Sequence, residues 1–354
     1  VTYNAVAVTF AWGSPILGGY VSQREDGFSN QIMIINIIQA FSILFLIFAL
    51  PETTYHRSIQ DKNMAQASGL KTYLSTLKLS NAHSTQPFSI FLAVRPIKAL
   101  VTPSALMSTL LTAPLLGTAL GTAHTLSLLF SAMPTFLFPA RLGYIFILPL
   151  VFALVLYSIS AIISHYRSKP PRHLNGGAGD LGFAAVGMVI GVVGLLAWGL
   201  YTVGELMPGE YDDDGSVFSL NVTALDLSLR AVSALFGLLV AGAVTLSLCG
   251  NSHLASSRGP KRSLVSEIAA AHKTIEEVLV GVWVVGMPMW IESDAAGMIP
   301  GLKSTVIALA VVAFVIGSSV GAMLWVKGDL LGEVDERILG RKGQDEEWVK
   351  EIDR

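Results

Sequence analysis

Leu142–Ile163, LGYIFILPLVFALVLYSISAII, runs for 22 residues without an acidic, basic or amide side chain, with Arg141 on one flank and His165 and Arg167 on the other. At 1.5 Å per residue a helix of that length covers about 33 Å, enough to cross a hydrocarbon core of about 30 Å. Seven further runs carry the same signal: Tyr3–Val21, Ile32–Leu50, Ala105–Phe130, Phe183–Val203, Ala224–Leu248, Ala269–Ile291 and Thr305–Val326. The chain therefore reads as an all-α membrane protein with about eight transmembrane helices in a lipid bilayer. Composition agrees: 52% of the 354 residues are hydrophobic and 14% charged, against about 25% charged in soluble domains. Ala269–Ile291 is the weakest run, because His272, Lys273, Glu276 and Glu277 crowd its first turns. Those charges are expected at the membrane interface, leaving Val278–Ile291 as the apolar part.

The connections set an orientation, since short loops rich in Lys and Arg stay on the cytoplasmic side. Arg57, Lys62, Lys71, Lys78, Arg95 and Lys98 lie between the second and third runs, Arg167, Lys169 and Arg172 after the fourth, and Arg258, Lys261 and Arg262 after the sixth. The alternate loops carry Glu205, Glu210, Asp212, Asp213 and Asp214, then Glu292 and Asp294. Asn221-Val222-Thr223, a glycosylation sequon, falls in one of these outward loops, so Asn221 is a candidate glycan acceptor. A net charge of −2 provides no basic field for nucleic acid, and the single Cys249 excludes an intrachain disulfide. The chain opens on Val1 without a basic leader, and reads as one whose start is missing.

Four segments together resemble a known family. Ala11-Trp12-Gly13-Ser14-Pro15-Ile16-Leu17-Gly18-Gly19-Tyr20 looks like the GPxxGG signature in the fifth helix of major facilitator antiporters, with Ser14 where a glycine is usual. Leu50-Pro51-Glu52-Thr53-Thr54-Tyr55 is similar to the end of their sixth helix. Phe88–Pro96, followed by Pro103, resembles the start of the seventh helix in fungal drug:proton antiporter-like members, and Pro288-Met289-Trp290-Ile291-Glu292 the end of the eleventh. The resemblance implies a partial major facilitator fold, helices five to twelve. Residues 1–50 would be the last two helices of an N-terminal bundle, 51–99 the central cytoplasmic loop, 100–327 a six-helix C-terminal bundle and 328–354 a cytoplasmic tail. It also implies a multi-pass transporter, at the plasma membrane rather than a vacuolar or other internal membrane. Such a protein exports a drug, toxin or metabolite, with protons as the candidate coupling partner.

Particular residues then stand out, each with a plain structural alternative. Gly13, Pro15, Gly18 and Gly19 permit close helix approach and a bend; under the resemblance they shape the seal between two halves. Gly117-xxx-Gly121, Gly187-xxx-Gly191 and Gly317-xxx-Gly321 read as packing faces. His124, deep in the third run among Thr122, Thr125 and Ser127, is a candidate for a proton relay or substrate contact, or a neutral ring bonded to a hydroxyl. Asp226 and Arg230, four apart, form either a structural pair or a substrate contact. Arg141 is expected to snorkel, and Trp198, Tyr201, Trp283, Trp290 and Trp325 to form an interfacial belt, with Trp283 deep enough to line a cavity. Consecutive carboxylates at 210–214 lack a metal-loop spacing, and no nucleotide, hydrolase or zinc motif is present, so neither metal nor cofactor is implied. The functional expectation is a secondary transporter of a small organic molecule. The alternatives are a truncated, transport-inactive relative and, further off, a polytopic membrane enzyme or receptor.

Overall fold

A computed structural model of the chain describes residues 2–49, 97–131, 137–167, 176–206, 228–256, 262–293 and 298–339. Among the described residues the regular structure is helical: α1 (Thr2–Ser22), α2 (Gly27–Ala49), α3 (Pro103–Ser131), α4 (Pro139–Tyr144), α5 (Ile147–Arg167), α6 (Gly176–Leu206), α7 (Leu229–Ser256), α8 (Arg262–Glu292) and α9 (Met298–Ile338). Eight membrane-crossing segments result, with α4 and α5 sharing one of them. The described parts of all eight runs expected from the sequence coincide with these helices, and the chain is an all-α, multi-pass membrane protein. Residues 51–96, the outward stretch holding Asn221 and Asp226, and the tail from 340 lie outside the described residues. Two compact units divide the chain, one of residues Val1–Gln23 with Val94–Arg354, the other Arg24–Ala93. In the second unit α2 carries no charged side chain, and Ser42 returns its hydroxyl proton to the Ile38 carbonyl.

In the first unit α3 and α7 are the central helices, with 72% of each span buried against 22% for α8 and 28% for α9. Lipid tails are as apolar as leucine, so apolar burial cannot by itself drive these helices together, and close backbone approach matters more. The α6–α7 seam supplies it at Gly187, Gly191, Gly194 and Gly242: a Cβ on Gly242 would fall on the Gly191 backbone, and one on Gly187 would lie 3.0 Å from Thr245 Cγ2. Above this seam Trp12, Phe146 and Trp198 meet Phe236 with ring centroids 6.0, 5.7 and 6.4 Å away. Trp198 is fully buried there, which corrects its expected place in an interfacial belt; Trp290 and Trp325 are exposed, as a belt requires. A helix surface reads the same from outside and inside until its neighbours are known.

Proline explains the break between α4 and α5. Pro139 begins α4 behind an extended Phe138, where its missing N–H costs nothing. Pro149 then deprives the Ile145 carbonyl of its donor one turn on. Ser233 on α7 donates to that carbonyl instead, at 2.7 Å, and ties the break to the core. Against α4 lies α1, at a crossing where both backbones touch. A Cβ on Gly19 would lie 2.5 Å from the Pro139 oxygen and 3.0 Å from Gly143 Cα, and one on Gly143 would lie 3.1 Å from the Pro15 oxygen. Gly13 is different, since its Cβ would meet only Leu150 at an ordinary 3.6 Å.

At the opposite end of the bundle the start of α3, the end of α7, the start of α8 and the end of α9 come together around Ala105, Leu254, Ile268, Ala271 and Leu339. These are ends that the basic loops assign to the cytoplasm. Beyond a non-helical Lys327, α9 turns Leu331, Asp335 and Leu339, four residues apart, back onto the bundle. Asp335 Oδ1 accepts from the Ser104 N–H at 3.3 Å, so α9 caps the otherwise unpaired start of α3.

Two outcomes follow from these contacts. Gly19→Ala forces two backbones apart and is expected to destabilise by about 1–3 kcal/mol, whereas Gly281→Ala, with nothing within 4 Å, is neutral or stabilising by up to about 1 kcal/mol; thermal midpoints in detergent compare the two. Burial raises the Asp335 pKa above its usual 3.8, with the Ser104 hydrogen bonds opposing. A carboxyl that holds its proton more tightly when folded favours the folded state below 3.8, and that contribution is lost as pH rises through the raised value. Asp335→Asn keeps an acceptor for Ser104 without a charge, and is expected to raise the midpoint at neutral pH, the gap closing on acidification; a lowered midpoint at neutral pH would count against this account.

Candidate functional site

Helices α3 and α8 run parallel and in register. Thr109 meets His272, Thr112 meets Glu276, and Thr122 meets Met287, pairs separated by 163, 164 and 165 residues. Gly117 and Gly121 keep the helices close, since a Cβ on either would lie 2.9 Å from Trp283 or Met287. On α8, His272 and Glu276 are four apart and share a face; on α3, Thr109 and Thr112 are three apart and do the same. The packed seam brings these two faces together.

The result is a polar cluster inside the bundle. Glu276 has no exposed surface; its Oε1 accepts from the Thr112 hydroxyl at 2.6 Å and its Oε2 from Lys273 Nζ at 2.7 Å. Lys273, half-exposed, also reaches Glu277 Oε1 at 3.1 Å. A buried carboxylate is expensive unless paired and hydrogen-bonded, and here it is both. His272 is fully buried, with Nδ1 2.9 Å from Thr109 Oγ1. That hydroxyl has one proton and lies 2.8 Å from the Ala105 carbonyl and 3.3 Å from the His272 carbonyl. Two arrangements fit these distances: the ring donates Nδ1–H to the hydroxyl, which gives its own proton to a carbonyl, or the hydroxyl donates to a bare Nδ1; the ring tautomer decides between them. His272 Nε2 and, on α3, Ser108 Oγ are buried without a hydrogen-bond partner among the described residues. Gly250 of α7 forms a third wall, its Cβ position 2.8 Å from Thr112 Cγ2.

The four charges expected at the membrane interface divide between two faces of α8. Lys273 and Glu277 are exposed, whereas His272 and Glu276 face inward. The signal was present in the sequence as an i, i+4 pair flanked by Ile268 and Val280, both buried, but it needed the opposing hydroxyls of α3 to be legible as a site.

The residues singled out from sequence are not gathered at this cluster. His124 lies on an exposed face of α3, and its expected hydroxyl partners are committed elsewhere: Thr125 donates to backbone carbonyls, Ser127 to the His124 carbonyl, and Thr122 to Met287. Arg230 is exposed at the start of α7, and its suggested partner Asp226 is outside the described residues. Arg141 is exposed on α4, as snorkelling requires. Trp283 packs on Gly117 and edge-on to Trp290 at 6.0 Å, with Nε1 buried and without a hydrogen-bond partner among the described residues. Of the glycine motif, Gly19 makes the close crossing with α4 and Pro15 lends its carbonyl to it.

A separate cavity of about 310 Å³ opens between α3, α6 and α9, lined by Leu111, Met188, Phe314, Gly317 and Trp325. Its one hydroxyl, Ser318, already donates to the Phe314 carbonyl. Convergent polar groups that orient a solute are missing from this apolar lining. Among the described residues no three His, Cys, Asp or Glu side chains converge as metal ligands would. Comparison with protein-family models, curated proteins and solved structures found no match.

The cluster makes an energetic statement that a double-mutant cycle reads. Thr112→Val leaves Glu276 Oε1 without its donor and is expected to cost about 1–3 kcal/mol, but much less in a Glu276→Leu background, where no carboxylate remains to be orphaned. Equal costs in both backgrounds, measured by denaturation in detergent, would show that the hydrogen bond is immaterial.

Proposed function

We propose that this chain acts as a secondary transporter of the major facilitator type, moving a small organic molecule across the membrane, with export of a drug, toxin or metabolite as the direction. The observation that carries the reading is Glu276 with His272: a carboxylate and an imidazole without exposed surface, held between two membrane-crossing helices. Ionisable groups at such positions are costly, and in multi-pass proteins they serve solute or ion pathways far more often than scaffolding. Two further features support it. The α1 glycine–proline segment that resembles the antiporter signature makes a side-chain-free crossing with α4, and such a contact allows one helix to tilt against another without unpacking a core. The polar cluster faces three helices, α3, α7 and α8, so movement of any one of them changes its surroundings.

The test is flux. Full-length chain reconstituted in sealed vesicles is expected to move fluorescent organic dyes, with accumulation that an uncoupler abolishes. Glu276→Gln is expected to slow that flux at least about tenfold, a barrier change of about 1.4 kcal/mol. Reconstituted protein that moves no solute in either direction would remove the transporter reading and leave a transport-inactive helical bundle.

A further inference from the structure

The unpartnered nitrogen of His272 is the feature left unexplained by packing. Nδ1 is paired with Thr109 while Nε2 has no hydrogen-bond partner among the described residues, so in the tautomer that donates Nδ1–H to Thr109 it presents a bare lone pair inside the bundle. A buried acceptor left bare costs about 1–3 kcal/mol, so a purely structural residue at this position would be better served by an apolar side chain. The charges nearby are unbalanced as well. Lys273 supplies one positive charge, while Glu276 and Glu277 supply two negative ones, and the three are joined by hydrogen bonds. One proton would bring the group to neutrality.

The geometry points to His272 Nε2 as a proton-binding site, loaded from the aqueous side to which the starts of α3 and α8 and the ends of α7 and α9 belong. In the step, Nε2 gives its lone pair to a proton of hydronium; an N–H bond forms, an O–H bond breaks, and water leaves. Nδ1–H stays donated to Thr109. The imidazolium sits one helical turn from the Glu276 carboxylate, so charge is compensated across α8 while Lys273 remains bound to the same carboxylate. α3 has no Asp, Glu, Lys or Arg between Pro103 and Ser131; α7 brings His253, which lies against Gly328 of α9; and on α9, Lys327 is exposed and Asp335 caps α3.

A loaded Nε2–H is a donor, where the empty nitrogen was an acceptor. It therefore prefers a different arrangement of the α3–α8 seam, in which an acceptor oxygen can approach. Protonation thus biases one packing of two parallel helices over another, the differential interaction that coupling requires. This last consequence rests on the transporter reading; the proton site does not.

Nitrogen-15 labelling of histidine in the full-length chain, held in lipid nanodiscs, tests the site directly. The His272 signal, identified by its loss in His272→Gln, is expected to show a neutral ring protonated at Nδ1 in alkaline buffer and a doubly protonated ring on acidification. If His272→Gln does not fold, Thr109→Val identifies the same signal by removing the Nδ1 acceptor, which shifts the neutral ring toward Nε2–H. A ring protonated at Nε2 in the neutral state, or one that stays neutral throughout the folded pH range, overturns the assignment. Coupling is read separately in proteoliposomes, as the ratio of substrate flux with and without a pH gradient: His272→Gln is expected to bring that ratio to unity, whatever its absolute rate. Wild-type vesicles that move no substrate would defeat the transporter reading alone, with the titration unaffected. A variant retaining full gradient dependence would defeat coupling through His272.

Discussion

Hydrocarbon offers no hydrogen bonds, and the rest of this structure follows from that lack. Backbone groups must be satisfied within each crossing segment, so the segments are helices. Where proline removes a donor, a substitute has to be found inside the protein, and Ser233 reaching the Ile145 carbonyl is that substitution made visible. The same lack weakens the usual driving force for assembly. With lipid outside as apolar as the core, helices adhere through contacts their own backbones make at glycine, at Gly19 with Gly143 and at Gly191 with Gly242.

Polar groups are therefore disproportionately informative here. Most hydroxyls of α3 return their proton to a carbonyl three or four residues back, a local solution that a helix in lipid can always adopt. Thr112 is an exception in kind, since at 2.6 Å its proton goes to a carboxylate on another helix. That single bond joins the two most expensive features of the bundle, a buried acid and a parallel helix pair. The organic solute proposed for this chain and the proton proposed for His272 would both act through this pair, because it is where charge and helix contact coincide.

How much of this could be read in advance differs by element. The eight crossings were legible because length and apolarity are local properties, and even the charge-crowded α8 was recognisable from Val278 onward. The packing glycines were legible as spacing, though not as partners: nothing in Gly187-xxx-Gly191 names Gly242 on the next helix. Trp198 was misread because an aromatic residue near a helix end looks the same whether it meets headgroups or Phe236. His124 drew attention by its depth in a run, yet depth along a helix says nothing about which side of it faces the bundle.

Sequence alone determined that the chain belongs in a bilayer, which of its described helices are long and apolar enough to cross and which loop ends belong together, since transfer free energies and the placement of Lys and Arg depend on composition within about 20 residues. Only tertiary structure decided that His272 and Glu276 turn inward to meet Thr109 and Thr112, which lie more than 160 positions earlier. The physical reason is that a helix fixes angles between its own side chains but not its rotation about its axis. Rotation is set by which faces can approach most closely, and for α8 that was settled by Gly117 and Gly121 on a different helix.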